Sequence, residues 1–142
     1  MLPNTSATIF NKATDLTRDE TSYERTILPE VHWEDGVSVS GKSKNHAASR
    51  GAFIAIDFSA SDSCGKQYVQ PHEYAALDAS ARSSCWTIAP DDIIIKGTIG
   101  EDIPSGGFRQ WMAAHPEAAA VASVETFDMG SGRMQHWEVY AK

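Results

Sequence analysis

Short segments with β-strand character follow one another along most of this chain. Residues 93 to 96 read Ile-Ile-Ile-Lys, and three β-branched residues in a row favour an extended strand. Residues 21–28 and 133–141 alternate between unlike side chains with a period of two, which is typical of a strand with two different faces. Because regular helices do not separate these segments, the pattern predicts a mainly β fold, either a small antiparallel β-barrel or a sandwich.

The front of the chain predicts paired strands. Residues 7–11 and 21–28 are expected to form a hairpin, with the polar residues 12–20 as a long tip. Pro29 is expected to break the second strand, and Asp35-Gly36 is a two-residue turn signal between a strand at Val31 and its return.

One or two short helices are expected among about eight strands and long loops. Residues 71–77 favour a helix that begins with proline, and residues 105–115 carry apolar side chains at helical spacing. The chain should close with a hairpin, in whose last strand Trp137 and Val139 are expected to face the core.

Size and charge restrict the class of protein. The chain has 142 residues, of which 42% are hydrophobic and 22% charged, so we expect one folded domain over residues 1–142. The net charge is -7, and the lysines and arginines are scattered rather than clustered. Sequence-specific nucleic-acid binding is therefore not expected, although an acidic surface can lie beside DNA without gripping it.

Targeting signals are not evident. The first ten residues lack the basic and apolar regions of a secretory signal, and no apolar run approaches the roughly 20 residues of a membrane span. Cys64 and Cys85 have no zinc or CxxC spacing. We therefore expect synthesis in the cytosol, no membrane partner, and two reduced cysteines that act as small core residues.

Histidines, cysteines and acidic pairs are the candidates for chemistry. No two of the five histidines stand at a helical i, i+4 or a strand HxH spacing, and neither cysteine lies in a nucleophile motif. Asp91-Asp92 and Glu101-Asp102 are typical of turns with solvated charges, and Ser105-Gly-Gly107 lacks a phosphate-binding pattern. We expect no catalytic residue, no metal and no cofactor, hence a protein that is not an enzyme.

Three polar loops, residues 12–20, 41–50 and 59–65, are longer than hairpin turns need. The second is locally basic and is our candidate for a loop that meets DNA in a channel or an acidic neighbour. Its candidate residues are Lys42, Lys44, Asn45, His46 and Arg50.

A partner interface is the other candidate site. An apolar stripe on a short helix is more often core than interface, yet some side chains in a chain with four tryptophans can be anchors between subunits. The candidate interface residues are Tyr23, Arg25, Phe108, Trp111 and Met112.

Three motifs in a fixed order resemble a known family. They are Val31-His-Trp33, Ile93-Ile-Ile-Lys-Gly97 and the ending Met134-Gln-His-Trp-Glu-Val-Tyr-Ala-Lys142. This order resembles a family of uncharacterised tailed-phage and prophage proteins whose genes tend to sit among head and neck genes. The layout is also similar to that of the head-closure (stopper) proteins of long-tailed phages.

The resemblance implies a structural virion protein in the neck of a tailed phage. Such a head-closure or head–tail connector subunit forms a homo-oligomeric ring of six or twelve copies between the portal-adaptor and the tail-side proteins. It binds neighbours by β-edges and loops, and it lies near the DNA of the channel without sequence-specific contact.

Two alternatives stay open. One is a tail-completion or minor capsid protein of the same virion. The other is a small β-barrel that binds a ligand or a peptide in its mouth, which requires a deep apolar cavity with convergent polar groups. A connector should instead have a filled core, with its contacts at edges and loops.

Overall fold

The computed structural model describes residues 2–15, 17–39 and 49–142. Within them it contains eight strands: β1 (Thr5–Asp15), β2 (Glu20–Val39), β3 (Ser49–Asp57), β4 (Gln67–Tyr68), β5 (Cys85–Trp86), β6 (Ile93–Lys96), β7 (Ala119–Phe127) and β8 (His136–Ala141). It also contains four short helices: α1 (Ala60–Ser63), α2 (Pro71–Ala76), α3 (Ala79–Arg82) and α4 (Phe108–Ala114).

Six strands form a closed antiparallel barrel, in the order β1-β2-β3-β8-β7-β6. The predicted fold class is therefore confirmed, and of the two expected architectures the barrel is the one observed. Strands β4 and β5 form a separate parallel pair, which α2 and α3 connect. The predicted helices at residues 71–77 and 105–115 appear as α2 and α4, whereas α1 and α3 were not expected.

The expected long polar tip at residues 12–20 is wrong. β1 continues to Asp15, β2 begins at Glu20, and the cross-strand partners run without interruption from Ala7 with Leu28 to Asp15 with Glu20. Polar side chains do not prevent pairing in this part of the hairpin, because both of its faces are largely exposed.

Pro29 does not break β2, and Asp35-Gly36 is not a hairpin turn. Pro29 lies at an irregularity where the register with β1 shifts, so its missing N–H leaves no regular ladder position empty. Gly36 lies at a second register shift, between β2 and β3, and has φ +76. The glycine type of β-bulge uses this left-handed conformation just as a tight hairpin turn does, so the Asp-Gly signal does not distinguish the two.

Of the remaining two predicted loops, residues 59–65 are not a plain loop, and residues 41–48 lie outside the described residues. Residues 59–65 contain α1. Of the basic segment, Arg50 belongs to β3 and lies exposed opposite Ser38. The other four candidates, Lys42, Lys44, Asn45 and His46, lie outside the described residues.

The barrel interior is filled with side chains. Trp86, Leu28, Ile54, Ile56 and Val139 are each fully buried in one continuous cluster. The same cluster contains Trp137, which confirms the predicted inward face of β8. Close packing of this kind leaves apolar atoms in contact rather than facing a cavity.

A second apolar cluster lies outside the barrel wall, beneath α4. Phe10, Ile93 and Ile95 face this cluster, whereas Ile94 between them faces the barrel interior. The run of three isoleucines is therefore buried on both faces of β6, because α4 covers the outer face. No helix of the described residues is long and apolar enough to cross a membrane.

Candidate functional site

The β1–β2 hairpin extends past the strands that flank it. β1 pairs with β6 only from Ala7 to Phe10, and β2 pairs with β3 only from His32 onward. Residues 11–15 and 20–24, which we call the arm, pair with each other and with no further strand of the described chain. Most arm side chains are exposed, so the hairpin forms a projection with its own surfaces.

A groove of about 810 Å³ lies between the arm and the segment that leads into α4. In this arm groove, the rings of Tyr23 and Phe108 stack with centroids 5.0 Å apart and planes 9° apart. Ile103 and Pro104 line the same groove. The groove therefore combines an aromatic pair with aliphatic wall residues.

A glycine turn positions Phe108. Gly106 has φ +72, a conformation that costs glycine little, and the Gly107 amide donates to the Pro104 carbonyl at 2.9 Å. The chain therefore turns immediately before α4 begins, and the first residue of the helix lies against Tyr23.

Arg25 holds the opposite wall of the groove. Its Nε donates to Oδ1 of Asp102 at 2.9 Å, and its Nη1 donates to the carbonyl of Ile99 at 2.9 Å. Asp102 is exposed, so the ion pair adds little free energy by itself. Its effect is to fix residues 99–102 against β2.

The arm side of the groove is acidic. Asp19, Glu20 and Glu24 line it, together with Lys12 and Arg109. None of the three carboxylates makes an ion pair within the described ranges. Unpaired surface carboxylates of one sign favour a cationic partner.

One backbone edge of β2 lies beside the groove. The Arg25 carbonyl accepts from Nζ of Lys66 at 2.6 Å, and burial lowers the pKa of that ammonium. A lysine that covers a strand edge protects it against pairing with other chains. Between Glu20 and Arg25, no strand of the described part of the chain covers this edge.

A buried carboxyl group holds the root of the arm. Oδ1 of Asp92 accepts from the Lys12 amide at 2.9 Å, and Oδ2 accepts from the Ala89 amide and from Nδ2 of Asn11, each at 2.9 Å. Asn11 also bonds both backbone groups of Thr87. This network joins β1 to residues 87–92 at the point where β1 leaves β6.

Asp92 is only 3% exposed, and its electrostatics follow from that burial. Burial raises the pKa of the Asp92 carboxyl to about 6, and the charge of Asp91 adds to the rise, whereas the hydrogen bonds from Lys12, Asn11 and Ala89 oppose it. Both carboxyl oxygens accept from neighbouring groups, so the contacts of Asp92 are those of a structural residue.

Two histidine–glutamate pairs lie on the outer face of the barrel. Nε2 of His32 lies 2.9 Å from Glu34, and Nε2 of His136 lies 2.9 Å from Glu138. These hydrogen bonds are the largest cause of the raised pKa of each histidine. No group of three potential metal ligands is found within the described residues.

The candidate interface residues divide between the groove and the core. Tyr23 and Phe108 line the arm groove, and Arg25 is bonded to Asp102 of its lining. Trp111 is buried against Phe10, with ring centroids 5.0 Å apart, and Met112 is partly buried in the same cluster.

A family comparison covers nearly the whole chain. DUF6751, a family of unknown function, matches residues 2–142. The chain belongs to this family. No curated protein and no solved structure matches it. The family description assigns no partner or virion role, so the neck assignment stays a prediction.

Sequence reasoning missed several site residues of this DUF6751 chain. The sequence predicts Asp92 in a turn with solvated charges, whereas in the structure it is buried and bonded to Asn11, 81 positions away. Glu20 and Glu24 were not named as site residues. The residues next to Asp92 in the sequence do not indicate its hydrogen bond to Asn11. The acidic side chains near Tyr23, by contrast, could have been identified from the sequence.

Proposed function

We propose that this chain is a structural virion protein of a tailed phage, a head-closure or head–tail connector subunit. In this proposal it forms a homo-oligomeric ring between the portal-adaptor and the tail, performs no catalysis, and is located in the neck of the virion. The resemblance of its three motifs to a tailed-phage family supports the virion setting.

The observation that carries the proposal is a projecting arm on a filled barrel. The arm places ten residues beyond the flanking strands, and six of them are exposed. Such a projection adds little to the stability of a monomer, and its uncovered edge is a liability in isolation. In a subunit that binds its neighbours through edges and loops, the projecting hairpin and its strand edge can both contact a neighbouring copy.

The filled interior disfavours the ligand-barrel alternative. A barrel that binds a ligand in its mouth needs a cavity lined by apolar and convergent polar groups. Here Trp86 and Trp137 pack together at 5.4 Å between ring centroids, in the cluster that fills the barrel. This packing supports an assembly role over a transport or binding role.

Deletion of the gene in the parent phage or prophage tests the proposal. We expect electron micrographs of the lysate to show heads and complete tails that are not joined, and emptied heads would indicate head closure in particular. Joined particles with abnormal tails would favour the tail-completion alternative instead. Normal, infectious virions would refute a neck function.

Complementation tests whether the arm carries that function. A plasmid copy in which residues 14–21 are replaced by Asn-Gly should keep the barrel, because the pairings of β1 with β6 and of β2 with β3 lie outside this change and Ala13 still pairs with Ser22 across the new turn. We expect this variant to fold, as circular dichroism would show, and to leave heads and tails separate. The wild-type copy is the matched control and should restore plaques.

A further inference from the structure

We infer that the arm groove of one copy receives the basic segment, residues 42–50, of a second copy of this chain. This inference rests on the proposed function, because it names the contact between neighbours that would build the ring. The charge of the segment, the length of β2 and the symmetry of a ring all favour this segment as the occupant of the groove.

The groove offers contacts for an extended cationic segment. The Tyr23–Phe108 stack and Ile103 supply apolar surface, and from Glu20 to Glu24 no described strand other than β1 pairs with β2. The lining holds four carboxylates, of Asp19, Glu20, Glu24 and Asp102, against the two cations of Lys12 and Arg109. The first three carboxylates make no ion pair within the described residues. A lysine side chain can lay its methylene groups on aromatic rings while its ammonium group meets a carboxylate.

The basic segment has the complementary charge. From residue 36 to residue 56 the chain contains no aspartate or glutamate, although it has 19 acidic residues in total. The same stretch contains Lys42, Lys44 and Arg50, and Arg50 is exposed. In a chain of net charge -7, this is the segment best suited to approach a carboxylate-lined groove.

Within one copy, the length of β2 places the arm groove far from the start of the basic segment. Glu24 and Val39 lie near opposite ends of β2, and the fourteen residues of strand between them correspond to roughly 50 Å along the chain. Val39 pairs with Ser49, so a connection of nine residues joins these two neighbouring positions. Such a connection reaches at most about 17 Å from its ends. The segment can therefore meet an arm groove only in another copy.

A contact between two different surfaces of one chain is heterologous. Repetition of this contact gives a closed ring when the rotation between copies closes, and an open filament when it does not. The groove and the segment at opposite ends of β2 therefore provide a head-to-tail contact of the kind that a ring subunit needs.

Charge reversal on each side tests the contact in the full-length chain. We expect Glu20→Lys and Lys44→Glu each to weaken self-association at least about tenfold, measured by analytical ultracentrifugation at low salt. The double variant should recover to within about threefold of wild type, because the reversed charges again attract across the contact. Glu125→Lys and Arg133→Glu are matched controls on exposed positions outside the groove, and we expect wild-type association from both.

Three outcomes would overturn the inference. The first is single charge reversals that self-associate as strongly as their controls. The second is a double variant in which the two losses of self-association add. The third is a wild-type chain that stays monomeric at every concentration and salt tested. Each leaves the neck proposal standing if the gene deletion still separates heads from tails. Circular dichroism and thermal unfolding of every variant distinguish lost association from lost folding.

Discussion

Asp92→Asn isolates a pH dependence at the root of the arm. Burial raises the pKa of Asp92 to about 6, above the value of about 3.9 in an unfolded chain. The folded chain therefore binds this proton more tightly than the unfolded chain does. The protonated carboxyl stabilises the fold below about pH 4, and this contribution is lost as the pH rises from about 4 to about 6. At 1.36 kcal/mol for each pKa unit, the full loss is about 3 kcal/mol.

The measurement is urea unfolding of the wild type and of Asp92→Asn at several pH values. Asparagine does not titrate, so the difference in free energy of unfolding between the two proteins reports the Asp92 proton alone. We expect the wild type to lose about 2 kcal/mol relative to Asp92→Asn between pH 4.5 and pH 7. Above pH 7 the difference should be constant.

Asp91→Asn is the matched control, because it removes the neighbouring exposed carboxylate and keeps the buried one. Asparagine also tolerates the φ of +76 that residue 91 adopts. This variant should keep most of the wild-type pH dependence, shifted slightly to lower pH, because burial is the largest cause of the raised pKa of Asp92 and the charge of Asp91 only adds to it. If the wild type instead gains stability relative to Asp92→Asn as the pH rises, the three N–H donors outweigh the burial of the charge, and the reasoning is refuted.

Three further experiments test other parts of the fold. Phe108→Ala should lower the free energy of unfolding by about 2 kcal/mol. A double-mutant cycle with Tyr23→Ala should give a coupling energy of about 1 kcal/mol between the two rings. If the two single losses of stability simply add in the double variant, the stacking contact is contradicted. In chemical denaturation, Gly36→Ala should lower the free energy of unfolding by about 1–2 kcal/mol. Gly36→Asn should lower it less, because asparagine accepts the positive φ of the bulge. Equal losses in the two variants would argue against backbone strain at this residue. An NMR titration should place the pKa of His136 above 6.5, and Glu138→Gln should lower that pKa. Because the folded-state pKa is raised, the pair stabilises the fold below about pH 6.5, and this contribution is lost as the pH rises through the raised pKa. An unchanged His136 pKa in Glu138→Gln would contradict the hydrogen bond as the main cause.

Local patterns were sufficient where one physical reason dominated. Three β-branched residues predicted β6, the alternation of the last strand predicted the inward face of Trp137, and an initial proline predicted α2. In each case the preference of the side chains and the tertiary burial favour the same conformation. Absence of regular helices between the strands was enough to predict the fold class.

Predictions failed where one local signal serves two structures. Asp35-Gly36 supplies a left-handed residue to a bulge as well as to a turn, and Pro29 is compatible with a strand at a register shift. Polar residues 12–15 look like a loop because their strand faces solvent. The register of the neighbouring strand, which is a non-local property, decides each of these cases.

The sequence alone determined a mainly β fold and its strongest strands. Its five interface candidates, Tyr23, Arg25, Phe108, Trp111 and Met112, remain predictions. Only the tertiary structure decided that Phe108 stacks on Tyr23, 85 positions earlier, and that Asp92 is buried against Asn11. Local preference depends on a residue and its near neighbours, whereas a groove or a buried hydrogen bond depends on which distant segments the closure of the barrel brings together.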